Sequence, residues 1–304
     1  MNAMKASAIV ARFAAVAAAA MASATAMAAD YEPERWQLNM PRGVTQTAHN
    51  AYDMHMLMLW ICVAIGVVVF GAMAVAIVKF RKSAGAKPDV DFTHSTKLEL
   101  IWTTIPVLIL VIMAVPATKK VLEQYDSSGA TMVVKVTGYQ WMWRYEVVSY
   151  EGRPTNVNFI SRLDRRSDRI RQSGEDPNAA GHEHYLRDVD NVLVLPTDTK
   201  IRFVFTSDDV IHAWWVPALG WKQDAIPGVI NDAWTDISTP GTYRGVCAEL
   251  CGKDHGFMPI VVKAVPKAEY EAWLAAQEAG DLVEAARIAA TDATDAPAIA
   301  GGSR

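Results

Sequence analysis

Two cysteines, a histidine and a methionine lie within one short stretch, Cys247-Ala248-Glu249-Leu250-Cys251-Gly252-Lys253-Asp254-His255-Gly256-Phe257-Met258. Thiolate and thioether sulfurs are soft donors and imidazole is borderline, so this mixture suits copper and disfavours magnesium or calcium. A mononuclear blue-copper centre takes one Cys, two His and a weak axial Met. Here two thiolates share a loop, and each can bridge two copper ions, with one terminal His on each metal and weaker axial donors. That arrangement needs a second imidazole. Asp208-Asp209-Val210-Ile211-His212, which follows directly on the apolar run 201–206, can supply it. The same cysteine pair also suits a disulfide, a zinc clip or a redox-active dithiol. His255 and Met258 weigh towards copper.

A loop of this kind has to hang between strands. From residue 131 onward the chain turns into short β-branched and aromatic runs at 132–137, 139–148, 192–195, 201–206, 242–246 and 258–265, separated by turn residues. Without helical periodicity between them, these predict a β-sandwich or Greek-key barrel. In such a fold strands distant in sequence meet, so His212 can face the 247–258 loop. Residues 151–190, with an arginine-rich run at 162–171, interrupt the series and read as a polar surface insertion. Its His182 and His184 receive no role. Residues 267–304 predict a short helix near 270–273 and a low-complexity, disordered end.

A hydrophobic fraction of 51% over 304 residues is high for a soluble protein. The excess sits near the amino terminus. Residues 1–29 place Lys5 and Arg12 ahead of an alanine-rich core ending in Ala26-Met27-Ala28, the pattern of a secretory signal. Residues 54–78 and 100–118 each approach the ~20 apolar residues that cross a bilayer as a helix, which predicts a transmembrane hairpin over 54–120. Lys79, Arg81, Lys82, Lys87 and Lys97 put the connecting loop in the cytoplasm, so the 30–53 segment and the 121–266 domain lie outside. Cys62, within the first span, reads as a small apolar filler. A net charge of −4 with mixed signs and no basic stripe argues against a nucleic-acid partner. Three cysteines are too few for a disulfide scaffold.

The 247–258 loop, together with Asp209-Val210-Ile211-His212 and Asp224-Ala225-Ile226-Pro227-Gly228, resembles the dinuclear copper (CuA) domain of cytochrome c oxidase subunit II of bacterial type. The likeness runs from the hairpin to about Pro266. It implies a two-helix membrane anchor carrying an all-β Greek-key cupredoxin-like domain, in a bacterial inner membrane with the copper domain facing the periplasm. It further implies that Cys247 and Cys251 bridge two coppers, that His212 and His255 are terminal ligands, and that Met258 and the Glu249 carbonyl are axial. The Glu249 side chain would then help hold a magnesium ion shared with the catalytic subunit. Gly138-Tyr139-Gln140-Trp141-Met142-Trp143-Arg144-Tyr145-Glu146 resembles the family's aromatic segment, in which Trp141 receives the electron from cytochrome c. Spacing alone puts Trp141 and Trp143 on one strand face as packing residues.

Glu99 matches the mouth of the family's proton pathway, whereas its position alone reads as a carboxylate favourably placed at a helix start. Asp208 and Asp209 read as docking charges for a basic cytochrome. The implied partners are the haem-bearing subunit I, subunit III, cytochrome c and the lipid bilayer. The implied activity is electron relay to haem for reduction of O2 to water coupled to proton translocation, with no bond chemistry in this chain. The rival from another class is a membrane-tethered copper chaperone or thiol-disulfide protein. Those usually carry one anchor and a thioredoxin-like α/β domain, against the two spans and β-rich domain read here. A quinol-oxidase subunit would lack the copper ligands, and no Cys-x-x-Cys-His occurs to bind a fused haem c.

Overall fold

In the computed structural model, which describes residues 29–31, 35–87, 89–178 and 182–290, two long helices lead into a β-domain. Helices α1 (Gln46–Lys79) and α2 (Thr96–Tyr125) carry apolar windows in which no residue is buried. Apolar surface of that extent needs a cover other than water. At 1.5 Å per residue, α1 is about 50 Å long and outruns the ~30 Å hydrocarbon core. The expected secretory signal, save Ala29, and the low-complexity end of the tail lie outside the described residues.

Both helices run further on the domain side than the apolar stretches 54–78 and 100–118. The reason is packing against the domain. Thr45 caps α1 by accepting a hydrogen bond from Ala48 N, and the buried hydroxyls of Thr45 and Thr47 donate to Leu219 O at 2.9 and 3.0 Å. Gly220, at φ 82°, passes so close that a Cβ there would lie 2.2 Å from Ala48 Cα. Trp234 Nε1 donates to Glu123 O at 3.1 Å in the last turns of α2, and Lys120 Nζ joins Asn50 Oδ1 (2.9 Å) to Glu123 Oε2 (3.0 Å). Hydropathy registers only the part of each helix that faces lipid.

The β-domain is two packed sheets. One has the order β6 (Leu193–Pro196), β12 (Ile260–Val265), β11 (Gly241–Cys247), β8 (His212–Val216), β9 (Trp221–Ala225), with β1 (Ala29–Tyr31) also pairing with β11. The other has the order β10 (Asn231–Asp236), β7 (Lys200–Ser207), β2 (Met132–Tyr139), β3 (Met142–Tyr150), β4 (Arg153–Pro154), with β5 (Asn158–Ser161) also on β3. The sheet neighbours are largely non-consecutive in sequence, and β2 pairs in parallel with β7 as β12 does with β6. The result is a cupredoxin-like sandwich. Its core is aromatic: Phe203, Trp214 and Trp221 sit with ring centroids 5.5–5.7 Å apart, and Trp214 Nε1 donates to Tyr145 Oη at 3.1 Å.

Residues 151–190 are less of an excursion than their composition suggests. β4 and β5 fold back onto β3, and only then does the chain leave the sheet to form α3 (Arg165–Ser173), capped by Asp164 and stopped at Gly174 with φ 72°. A neck closes behind it: Asp164 N donates to Asp188 O at 3.1 Å, Asp190 N to Arg162 O at 3.0 Å, and Leu163 bridges Val189. After β12, α4 (Lys267–Ala279) and α5 (Leu282–Ala289) return to the sandwich, with Tyr270 and Trp273 buried beside Tyr150 and Phe159.

Candidate metal centre

The pairing of β8 with β11 assembles the site. Cys247 stands opposite Trp214 in that ladder, so His212, at the start of β8, comes alongside the first thiol. The chain then leaves β11, passes Cys251, makes a single 3-10 turn at His255–Phe257 and enters β12 just after Met258. His212 Nδ1 lies 3.9 Å from Cys247 Sγ, which lies 3.9 Å from Cys251 Sγ. Cys251 Sγ in turn lies 3.4 Å from His255 Nδ1 and 3.6 Å from Met258 Sδ, and the Glu249 carbonyl accepts from Cys247 Sγ at 3.4 Å. His212, Cys247, Cys251 and Met258 are buried. Both thiols are free, their separation far beyond the about 2.05 Å of a disulfide.

The β2–β3 hairpin closes over this cluster. A Cβ at Gly138 would come within 2.7 Å of His212 Cδ2, so β2 can lie against the imidazole only with glycine there. Trp143 Nε1 donates to Met258 O at 3.3 Å, its ring meets that of His212 edge-on, and Gln140 Nε2 donates to Cys251 O at 2.8 Å. Trp141 does not share a strand face with Trp143. β2 ends at Tyr139 and β3 starts at Met142, so Trp141 occupies the turn, half-buried, while Trp143 is fully buried. The Trp141 ring rests on Gly252, where an added Cβ would meet its Cζ2 at 2.9 Å, and Lys253 Nζ sits 5.8 Å above the ring.

Two family profiles match the chain: "Cytochrome C oxidase subunit II, periplasmic domain" over residues 132–265 and "Cytochrome C oxidase subunit II, transmembrane domain" over residues 33–119. A relative from Rickettsia prowazekii (strain Madrid E), named "Probable cytochrome c oxidase subunit 2", is 37% identical over 244 residues, covering 80% of this chain and 73% of the relative. The chain belongs to the cytochrome c oxidase subunit II family. A relative of the same name from Rickettsia bellii (strain RML369-C) is 35% identical over 246 residues, covering 81% and 86% of the two chains. The crystal structure of the periplasmic domain of subunit II of cytochrome oxidase from Bradyrhizobium japonicum aligns at 34% identity and a TM-score of 0.42, over 51% of this chain and 98% of that one. Two helices of membrane-crossing length, with matches to the family's transmembrane and periplasmic-domain profiles, fit a membrane protein with a periplasmic domain.

In this subunit II chain the donor set fits copper. The contacts form an unbroken string, His212 to Cys247 to Cys251 to His255, with an imidazole at each end and the softer thioether and carbonyl donors at the flanks. Two ends on two central thiols is the pattern two metals need. Asp209 completes the surroundings by accepting from His212 Nε2 at 2.9 Å, which leaves Nδ1 towards the thiols. Both aspartates expected as docking charges accept hydrogen bonds within the domain. Asp209 also accepts from Gln140 N (2.7 Å) and Val210 N (2.6 Å), while Asp208 accepts from the Tyr139 hydroxyl. Nothing in the run of residues 208–212 distinguished the two aspartates. Glu249 is exposed on the loop, and Glu99 sits in the first turn of α2, at the opposite end of that helix from the domain.

The titration of the site is set by its own members. Burial resists a charge on Cys247, but hydrogen bonding to His212 and to backbone groups at Glu249 and Ala213 outweighs it and lowers its pKa. Burial, reinforced by the neighbouring Cys247 thiolate, pushes Cys251 up to about 12. Burial also resists a charge on His212, yet its bonds to Cys247 and Asp209 raise its pKa overall. A metal needs thiolates and a neutral imidazole. Cys251 and His212 must therefore shed protons that the metal-free site retains, so copper uptake should strengthen as pH rises towards the raised pKa values of these two groups and release protons into solution. Chelator competition at several pH values, with calorimetry in buffers of different ionisation enthalpy, measures this. A flat profile would remove these side chains from the ligand set.

Proposed function

We propose that this chain is the electron-accepting subunit of a respiratory cytochrome c oxidase in a bacterial inner membrane. It takes electrons one at a time from reduced cytochrome c and passes them to haem in subunit I, where O2 is reduced to water with proton translocation. The observation that carries this reading is the closed string of donors ending in one imidazole at each side. Cys247, Cys251, His212, His255 and Met258, with the Glu249 carbonyl, would hold the two copper ions. Copper held there would supply a redox centre that takes up and releases one electron at a time.

The protein's own contribution is rigidity and dryness. Buried sulfurs exclude water, the sheet fixes His212 and Cys247, and Asp209, Gln140 and Trp143 hold the imidazole and the loop carbonyls in place. Trp141, half-buried on Gly252, offers an aromatic surface between solvent and the copper loop, which supports it as the residue receiving the electron. Glu249 and Leu250 are exposed side by side on the loop, and on this reading they would meet subunit I, with Glu249 helping to hold a shared magnesium ion. Glu99 at the cytoplasmic end of α2 would open a proton path, with subunit III and lipid covering the remaining helix surface.

Electron paramagnetic resonance with metal analysis on the detergent-solubilised full chain tests this. Two coppers per chain, with hyperfine structure from one electron shared equally by two nuclei, is the expected result. A single-copper spectrum, or a Cys247–Cys251 disulfide with no bound metal, would overturn it.

A further inference from the structure

The geometry points to Arg171, on the inserted helix α3, as a positioning residue for the copper loop: one guanidinium grips the turn that carries His255 from both sides. Its Nη1 lies 3.5 Å from Asp254 Oδ1, and its Cζ lies 4.2 Å from the centre of the Phe257 ring. Asp254 immediately precedes His255, and Phe257 immediately precedes Met258. The turn itself is short, held by Phe257 N donating to Asp254 O at 2.8 Å and His255 N to Gly252 O at 3.3 Å. A four-residue turn with two backbone hydrogen bonds has little rigidity of its own, so its outer face depends on what packs there.

From within, the β2–β3 hairpin holds the loop at two carbonyls, those of Cys251 and Met258. Beyond Lys253, whose Nζ lies 5.8 Å from the Trp141 ring, these contacts do not reach the stretch 254–257 between them. Arg171 does, with a flat, permanently charged group that pairs with a carboxylate at its edge while its face covers an aromatic ring. A second carboxylate, Asp168 one turn earlier on α3, accepts from Arg171 Nη2 at 2.6 Å and fixes the side chain's direction.

The helix is in turn tied to the strands that present the ligands. Asp188 in the neck accepts from Arg244 Nε at 3.0 Å, and Arg244 lies on β11 three residues before Cys247. Ser161, at the other side of the neck, pairs with Trp143 in the β5–β3 ladder, and Trp143 is the residue that holds Met258. The excursion at 162–190 therefore closes a ring running from β11 and β3 out to α3 and back through Arg171 to the loop. Its function is to keep His255 and Met258 in register with Cys247 and His212 before and after metal binding.

This inference rests on the reading of residues 247–258 as the copper loop, and the test separates the two. On the full chain in detergent, copper content of the wild type is measured first, followed by the rate of copper release to a chelator in wild type, Arg171→Ala and Arg171→Lys. Hydrogen exchange is followed on the metal-free forms. Supports of a metal ligand typically contribute 10–100-fold to metal affinity, so Arg171→Ala should release copper about tenfold faster. Arg171→Lys should fall between, because an ammonium keeps the charge pair with Asp254 and loses the flat contact with Phe257. Faster exchange should be confined to amides 253–258, with β7 and β12 unchanged. Release and loop exchange within twofold of wild type would overturn the role of Arg171, as would faster exchange throughout the sheets. A wild-type chain that takes up no copper would overturn the reading of the centre and the inference with it.

Discussion

Replacing Cys251 by serine should leave the β-sandwich folded and abolish the shared-electron copper signal. Copper content should fall from two per chain to at most one, and electron uptake from a reduced c-type cytochrome should fall by at least about 100-fold, more than the loss seen on removing a residue that only supports a ligand. The size follows from the position of this sulfur in the donor string. Cys251 Sγ is the atom that touches Cys247, His255 and Met258 together, at 3.9, 3.4 and 3.6 Å. A serine hydroxyl is nearly isosteric with the thiol, so the cavity cost is small. It is also a hard, weakly acidic donor that cannot bridge soft metal ions. Burial is tolerable because His255 Nδ1 lies within reach of a hydrogen bond to the new hydroxyl. Circular dichroism, metal analysis and electron paramagnetic resonance on the same sample decide the matter. An intact two-copper spectrum in Cys251→Ser would show that this sulfur is not a bridge.

How much of this was legible in the sequence depended on whether the information was local. The donors Cys247, Cys251, His255 and Met258 share one loop and have soft chemistry, so their role shows without any fold. His212 was recognisable because an imidazole next to a strand end had to come from somewhere. The short strands β8, β9 and β10 were not legible. Asn231–Asp236 reads Asn-Asp-Ala-Trp-Thr-Asp, and such polar runs become strands only because β7 offers them a ladder. The turn at Gln140-Trp141 was hidden for a related reason: the aromatic run 139–148 looks like one strand, and only the antiparallel pairing of β2 with β3, closing at Tyr139 opposite Met142, puts a turn within it. Asp209 shows the limit best. Two adjacent aspartates look alike in sequence, and what separates them is the arrival of Gln140 N from the β2–β3 turn, 69 residues away along the chain. The domain ends of the helices escaped hydropathy because their burial partners, Leu219, Gly220 and Trp234, belong to the sandwich.

Trp141 separates electron delivery from metal binding, and its replacement should affect one without the other. In Trp141→Leu the two coppers and their spectrum should persist, because the ring rests on Gly252 and lies beside Lys253, neither of which is a proposed ligand. Electron uptake from a reduced c-type cytochrome should nevertheless fall by about 100-fold, the scale on which a small misplacement of reacting groups acts. Trp141→Phe keeps an aromatic face at the same turn and should lose less. The competing interpretation, in which Trp141 is only packing, makes the opposite forecast. A residue that merely supports the loop would, when lost, loosen Gly252 and speed copper release, and uptake would fall only in step with copper content. Gly252→Ala provides the converse perturbation. At φ 126° and 2.9 Å from Trp141 Cζ2, an added methyl must displace the ring or strain the loop. It should therefore slow electron uptake and disturb the copper signal together, whereas Trp141→Leu should slow uptake alone. Stopped-flow oxidation of the cytochrome, read beside copper content for each variant, resolves the two roles, and uptake by Trp141→Leu within a factor of about three of wild type would assign Trp141 to packing.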